Sequence, residues 1–215
     1  MIASEVVVID YGIGNLLSVR RGLEHCGANV KVTSDPQIIL SASRVVLPGV
    51  GAFADGMSGL CDKGLDSVVR EIACRNVPLL GICLGMQMLL DESEEFGVTA
   101  GLGLIPGRVI PVPANTVDGQ LQKIPHIGWN DLVKVPGGNT WDNTLLQDID
   151  IGEAVYFVHS FMAVPMTPEL TLAHCVYGGI PVSAVIQNKN VLGCQFHPEK
   201  SGEVGLRLLS RFLKL

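Results

Sequence analysis

Pro78-Leu79-Leu80-Gly81-Ile82-Cys83-Leu84-Gly85-Met86-Gln87 reads as an apolar strand, a G-x-C-x-G turn and the start of a helix. That is the layout of a nucleophile elbow with cysteine in place of serine. A sharp strand-to-helix turn forces the nucleophile into a strained backbone conformation. The small residues two before and two after it, Gly81 and Gly85, let neighbouring chain pass closely. Such a turn presents the sulfur at the carboxyl end of the strands, where open α/β sheets place their ligands. The following helix points its N-terminus at the sulfur and favours thiolate over thiol. The competing reading is a structural cysteine buried behind a core strand, a common fate for that residue. The paired glycines and the strand–turn–helix context weigh against it.

Working outward from the elbow, strand-like and helix-like stretches alternate through the first half. Strands are expected at 6–9, 30–33, 45–47 and 78–82, and helices at 15–26, 65–74 and 84–91. In the first helix Leu16, Val19, Leu23 and Cys26 share one face. This order implies an α/β fold, a mostly parallel central sheet with helices on both faces. The second half differs: strands are expected at 108–112, 156–158, 172–176, 182–186 and 191–196. The Gly, Pro and Asn turns between several of them point to an antiparallel extension. A last helix is expected at 204–214, and 113–138 reads as a loop-rich excursion at one end of the sheet. With no repeat, low-complexity tract or linker, residues 1–215 read as one domain.

Composition narrows the function classes. The 215 residues are 47% hydrophobic and 17% charged, with a formal charge of −6. No basic arm or stripe favours nucleic acid, and no apolar run approaches the length that crosses a bilayer. The start, Met1-Ile2-Ala3-Ser4-Glu5, lacks the features of a signal peptide. The six cysteines, at 26, 61, 74, 83, 175 and 194, form no C-x-x-C pair. A cytoplasmic protein with free thiols is expected.

A cysteine nucleophile needs a histidine to hold and pass its proton. His25 reads as a surface or C-terminal helix residue and His174 as a strand residue, while His126 and His159, near turn or strand ends, stay open. His197 stands apart because of Gln195-Phe196-His197-Pro198-Glu199. It follows a strand, and Pro198 biases it toward extended geometry, in which residues i and i+2 share a side. Glu199 can then fix the imidazole tautomer and stabilise the imidazolium; the alternative is a turn with a solvated glutamate. Pro48-Gly49-Val50-Gly51-Ala52-Phe53 follows the third strand. An elbow enzyme commonly builds its oxyanion hole from the N–H after the nucleophile, here Leu84, and one from this loop, here Val50 or Gly51. An ordinary glycine turn or a phosphate loop are the alternatives, although G-x-x-x-x-G-K-[ST] is absent.

Gly81-Ile82-Cys83-Leu84-Gly85-Met86-Gln87 and His197-Pro198-Glu199-Lys200-Ser201 resemble the signatures of class I (triad) glutamine amidotransferases, whose fold is flavodoxin-like. Four further blocks resemble the glutaminase subunits of imidazole glycerol phosphate synthases: 10–16, 48–53, 126–130 (His126-Ile127-Gly128-Trp129-Asn130) and 156–161 (Tyr156-Phe157-Val158-His159-Ser160-Phe161). The resemblance runs over nearly the whole chain. It implies hydrolysis of glutamine to glutamate and ammonia, without metal or organic cofactor. It also implies delivery of the ammonia to a separate (β/α)8-barrel synthase subunit. That subunit would make imidazole glycerol phosphate and an aminoimidazole-carboxamide ribotide, joining histidine and purine synthesis.

By the same resemblance Gly49, Gly51, Leu84, Gln87, Glu95, Ser160 and Phe161 surround the glutamine. Trp129, Asn130 and Lys200 face the barrel, with Asn15 and His126 near that face. The chain departs from the wider family at Gly49-Val50-Gly51, where many relatives are richer in glycine; Val50 is β-branched and resists unusual backbone angles. The resemblance implies a turn that reorients when the partner is occupied and a free subunit that is nearly inactive. The rival readings are a γ-glutamyl hydrolase, a cysteine peptidase, the glutaminase of another biosynthetic complex, or a catalytically dead scaffold. The subfamily blocks argue against the enzymes and the intact Cys83, His197 and Glu199 against the scaffold.

Overall fold

Alternate residues of the early strands serve two different cores, and that alternation builds the sheet. The computed structural model describes residues 4–138 and 140–215. The reading of the N-terminal leader rests partly on Met1, Ile2 and Ala3, which lie outside them. In β1 (Glu5–Ile9), Val6 and Val8 enter one apolar layer, Val7 and Ile9 the other. β3 (Val45–Gly49) and β4 (Leu79–Cys83) split the same way: Val46, Leu80 and Ile82 point to the first layer, Val45, Leu47 and Leu79 to the second. Strands apolar on both faces need cover on both. α1 (Leu16–His25) supplies Val19 and Leu23 to the first layer, and α6 (Gly202–Phe212) supplies Leu208, Leu209 and Phe212. α3 (Phe53–Asp62), α4 (Leu65–Cys74) and α5 (Leu84–Met88) cover the second.

With β2 (Asn29–Thr33), β12 (Thr171–Tyr177), β13 (Ile180–Asn188), β14 (Val191–Cys194) and β9 (Val133–Lys134), the large sheet runs β2-β1-β3-β4-β14-β13-β12-β9. The pairings from β2 to β14 are parallel, and those from β14 to β9 are antiparallel. The mostly parallel α/β sheet with an antiparallel extension is therefore present. Smaller sheets pair β8 (His126–Asp131) with β10 (Ala154–His159), and β11 (Phe161–Pro165) with β7 (Gly107–Pro111), β5 (Glu92–Ser93) and β6 (Thr99–Ala100). Among the described residues no helix is long and apolar enough to cross a membrane.

Two expectations are corrected and two helices are added. The stretch 113–138 is not all loop, since it holds β8 and β9. The helix expected over 84–91 stops at Met88: Leu89 and Leu90 N–H donate to the carbonyls of Met86 and Gln87 at 3.1 Å, tightening the last turn before the chain leaves for β5. Two helices went unread, α2 (Pro36–Leu40) and α3. The first is a single short turn capped by Asp35, whose carboxylate accepts from Gln37 N–H at 2.8 Å. The second carries Gly56 and Gly59, which lower its intrinsic helix preference.

Candidate active site

Parallel strands end on the same edge, so the turns after β1, β3 and β4 meet there. At the end of β4, Cys83 adopts φ 55°, ψ −112°, a conformation costly for any residue with a Cβ. Packing holds it. A Cβ on Gly85 would stand 1.8 Å from the Leu47 carbonyl oxygen, so only glycine lets the elbow press against β3. Leu84 opens α5, and the first N–H groups of that helix have no intrahelical partner.

His197 comes from the far side of β4. β14 pairs with β4 in parallel, Gly193 beside Gly81 and Cys194 beside Ile82, which brings the chain after β14 to the same edge. His197 is extended (φ −97°, ψ 97°), as a residue before proline should be. Glu199 does not reach it along an extended chain, however. Pro198–Lys200 is one turn of 3-10 helix, closed by Lys200 N–H to the His197 carbonyl at 3.0 Å, and the turn folds the carboxylate back onto the ring. His197 Nδ1 then lies 2.8 Å from Glu199 Oε1, with both side chains buried. Glu199 Oε2 has no hydrogen-bond partner among the described residues, so the ring is the main contact of this carboxylate.

Burial acts to lower the pKa of His197, but the Cys83 sulfur and the Glu199 carboxylate outweigh it and hold the ring up at about 9. An imidazolium therefore faces the sulfur at neutral pH. The other open histidines are set differently. Burial lowers His126 and His159 to about 4, and both rings stay neutral. His159 Nδ1 lies 2.8 Å from the Phe161 carbonyl and its Nε2 lies 3.0 Å from His126 Nδ1. Both nitrogens of His159 are occupied, and among the described residues no carboxylate backs either ring in the way Glu199 backs His197.

Cys83 and His197 open into a cavity of about 360 Å³, with Val50, Gly51, Leu84, Gln87, Glu95, Ser160 and Phe161 on its wall. Gly49 is absent from the wall: it is buried behind, where a Cβ would meet the Tyr11 hydroxyl at 2.6 Å. Gln87 Nε2 donates to the Phe161 carbonyl and to Gln195 Oε1, both at 3.0 Å, which leaves Gln87 Oε1 as its free acceptor. Glu95 Oε2 accepts from the Phe53 N–H at 2.6 Å, tying the β5–β6 hairpin to the start of α3 just beyond the Val50–Gly51 turn.

The residues expected at a partner face differ in exposure. Lys200 is exposed and lines the cavity. Trp129 is 58% exposed and sits edge-on to Tyr156. Asn130 donates to the Val176 carbonyl at 2.9 Å, and Asn15 caps α1 without a side-chain bond. His126, expected near that face, is buried and stacked on Tyr177 and Phe157, because its register against His159 in the β8–β10 pair turns it inward. His159, open as a base candidate, lies on the cavity wall, together with Val158 and Pro125, and Gln195 lies behind it; these last three were not expected in the site. Gln195 carried a signal, lying two residues before His197 on the way out of a strand.

The chain matches the family described as glutamine amidotransferase class-I over residues 7–215. Over 212 residues it is 54% identical to the imidazole glycerol phosphate synthase subunit HisH 1 of Legionella pneumophila (strain Lens), covering 99% of this chain and 100% of that one. It is 46% identical over 209 residues to the HisH subunit of Geobacillus sp. (strain WCH70), covering 97% and 95%. Among solved structures, the chain shares its fold with one described as PurLQS from Thermotoga maritima (TM-score 0.73, 19% identity, 99% of both chains covered). It also shares it with one described as a glutamine amidotransferase (TM-score 0.71, 18% identity, 98% and 99% covered).

Proposed function

This chain belongs to the class-I glutamine amidotransferases and, among them, to the HisH subunits of imidazole glycerol phosphate synthase, and on that premise we propose that Cys83, His197 and Glu199 hydrolyse glutamine to supply ammonia to a synthase partner. The observation that carries the assignment is the strained Cys83 opening, beside the buried His197–Glu199 pair, into a cavity of about 360 Å³. We read residues 1–215 as one catalytic domain working in the cytoplasm.

In the proposed cycle the Cys83 thiolate attacks the side-chain amide carbon of glutamine, and the carbonyl π pair moves onto oxygen. Leu84 N–H and the Val50–Gly51 turn receive that oxyanion; each such donor is worth roughly 10²–10³ in rate. His197, protonated at neutral pH, gives its proton to the leaving nitrogen as the C–N bond breaks, releasing ammonia and leaving a glutamyl thioester. The neutral ring then takes a proton from water, hydroxide adds to the thioester, and the C–S bond breaks to free glutamate. Glu199 keeps Nδ1–H in place throughout, so Nε2 does the proton transfer. No metal or organic cofactor enters these steps. Gln87 Oε1 and the Glu95 carboxylate offer acceptors to the ammonium of the substrate, with Gly51, Ser160 and Phe161 completing its pocket. Gly49 serves by packing.

Ammonia passes to a (β/α)8-barrel subunit that makes imidazole glycerol phosphate and an aminoimidazole-carboxamide ribotide. Trp129, Asn130 and Lys200 meet that subunit, Asn15 stands beside them, and His126 supports the strand from below. The test is Cys83→Ala in the complex. Glutamine-driven synthesis should vanish while synthesis from added ammonium salt persists. Retained glutamine-driven synthesis would sink the assignment, and failure of the barrel subunit to co-purify with this chain would sink the partner.

A further inference from the structure

Gln195 is a buried polar residue beside the nucleophile that the cycle above leaves without a role. It is fully buried. Its Oε1 lies 3.0 Å from Gln87 Nε2 and its Nε2 lies 3.8 Å from Cys83 Sγ. The direction of this amide is forced. The Phe161 carbonyl can only accept, so the Gln87 group 3.0 Å from it must be the NH2. That same nitrogen needs an acceptor on Gln195, which must turn its oxygen to Gln87 and its NH2 to the sulfur. His159 Nδ1 donates to the same carbonyl at 2.8 Å, and His126 holds His159 from behind at 3.0 Å. The anchor of the chain is thus held from two sides.

We propose that Gln195 donates a hydrogen bond to the Cys83 sulfur and so stabilises the thiolate that attacks the substrate. The inference rests on Cys83 being the nucleophile. A hydrogen bond to an ionised acceptor is about twice as strong as one to a neutral acceptor, so the donor favours the thiolate over the thiol. Burial strengthens the effect, because water cannot compete for the amide. The neutral thiol has a different partner: Sγ lies 3.9 Å from the Val158 carbonyl, which can take the S–H proton. The two protonation states of one sulfur therefore use two fixed groups, a carbonyl for the thiol and an amide N–H for the thiolate. Other titratable groups also face the sulfur: His197 with Glu199 behind it, Tyr11 from the loop after β1, and Cys194 from β14. His159, Glu95 and Lys200 stand on the cavity wall. All of them persist when Gln195 alone is changed.

The experiment is alkylation by iodoacetamide across pH on the full chain, with the six cysteines resolved by peptide mass spectrometry. Gln195→Leu removes the donor at nearly constant volume. Gln87→Met leaves Gln195 in place but frees its amide to turn, and serves if the leucine variant does not fold. On the low-pH limb Cys83 of Gln195→Leu should react about tenfold more slowly than the parent, and Gln87→Met should slow it by less. On the high-pH plateau, where the sulfur is ionised without help, parent and variants should react alike. Superimposable profiles would overturn the proposal, and so would a plateau that falls together with the limb, which marks general damage. If Cys83 of the parent reacts no faster than the exposed Cys61 and Cys74, the nucleophile assignment fails first, and that result is distinct from the other two.

Discussion

The elbow at Cys83 and the turn at Val50–Gly51 face the same cavity, yet they are built in opposite ways. The elbow has no slack: Gly85 has the Leu47 carbonyl 1.8 Å from where a Cβ would sit, and Gly81 has the Gly85 carbonyl at 2.7 Å. The turn has room: nothing lies within 4 Å of a Cβ on Gly51, and Val50 is 40% exposed. Close packing fixes a conformation, while open space lets a segment change it. Packing presets the Cys83 side of the cavity, and the room for adjustment lies at the Val50–Gly51 turn. Under the proposed function, this contrast would keep the triad ready while the oxyanion donor is withheld until the partner is engaged.

Glu199→Gln should cut glutaminase turnover in the complex by about 10²–10⁴ with little change in KM, read by glutamate release. The same variant tests His197. A ring raised to about 9 when folded stabilises the fold fully below its unfolded value of about 6.5 and loses that contribution as pH rises through about 9. Parent stability should therefore decline between those values, and Glu199→Gln should flatten the decline in denaturant titrations.

Gly85→Ala and Gly51→Ala come next, as a pair. The first should cost about 3 kcal/mol, since backbone must move, and melt several degrees lower. The second meets no atom and pays only for φ +92°, about 1–2 kcal/mol; its effect should show in turnover. Equal losses of stability would erase the contrast between elbow and turn.

The buried His126–His159 pair should make the fold sensitive to acid. Rings lowered to about 4 when folded stabilise it above about 6.5, and the contribution is lost as pH falls toward 4, at about 1–3 kcal/mol per ring. A denaturant midpoint that stays level from pH 6.5 to 4 would count against this. Trp129→Ala is expected to be the mildest for the fold, within about 0.5 kcal/mol, while weakening partner affinity by about 2 kcal/mol in titration calorimetry.

Much of this was legible from residues alone, and the illegible parts share a cause. The strands around Cys83 announced themselves because both faces of each are apolar. α3 did not, because Phe53-Ala54-Asp55-Gly56-Met57-Ser58-Gly59 is a poor helix by propensity. It forms because those glycines fit: the Met88 sulfur lies 2.8 Å from a Cβ on Gly56, and the Tyr11 carbonyl 3.0 Å from one on Gly59. β8 was hidden because its partner strand begins with Ala154, well down the chain, so no local turn signals the pairing. The same pairing turns His126 inward, which its motif position near a partner face did not reveal.

The sequence by itself determined the turn at Cys83, because an elbow is a local object: strand, turn and helix follow from ten consecutive residues. It also named His197 and Glu199, which sit in one short motif. Only the tertiary structure decided what surrounds the sulfur. Gln195 is 112 positions from Cys83 and Val158 is 75, and Glu95 is 42 from the Phe53 N–H it caps. A local pattern fixes backbone path and residue type. Which distant polar groups meet, and which way an amide turns, depends on register between strands and on packing that leaves buried donors and acceptors few partners to choose from.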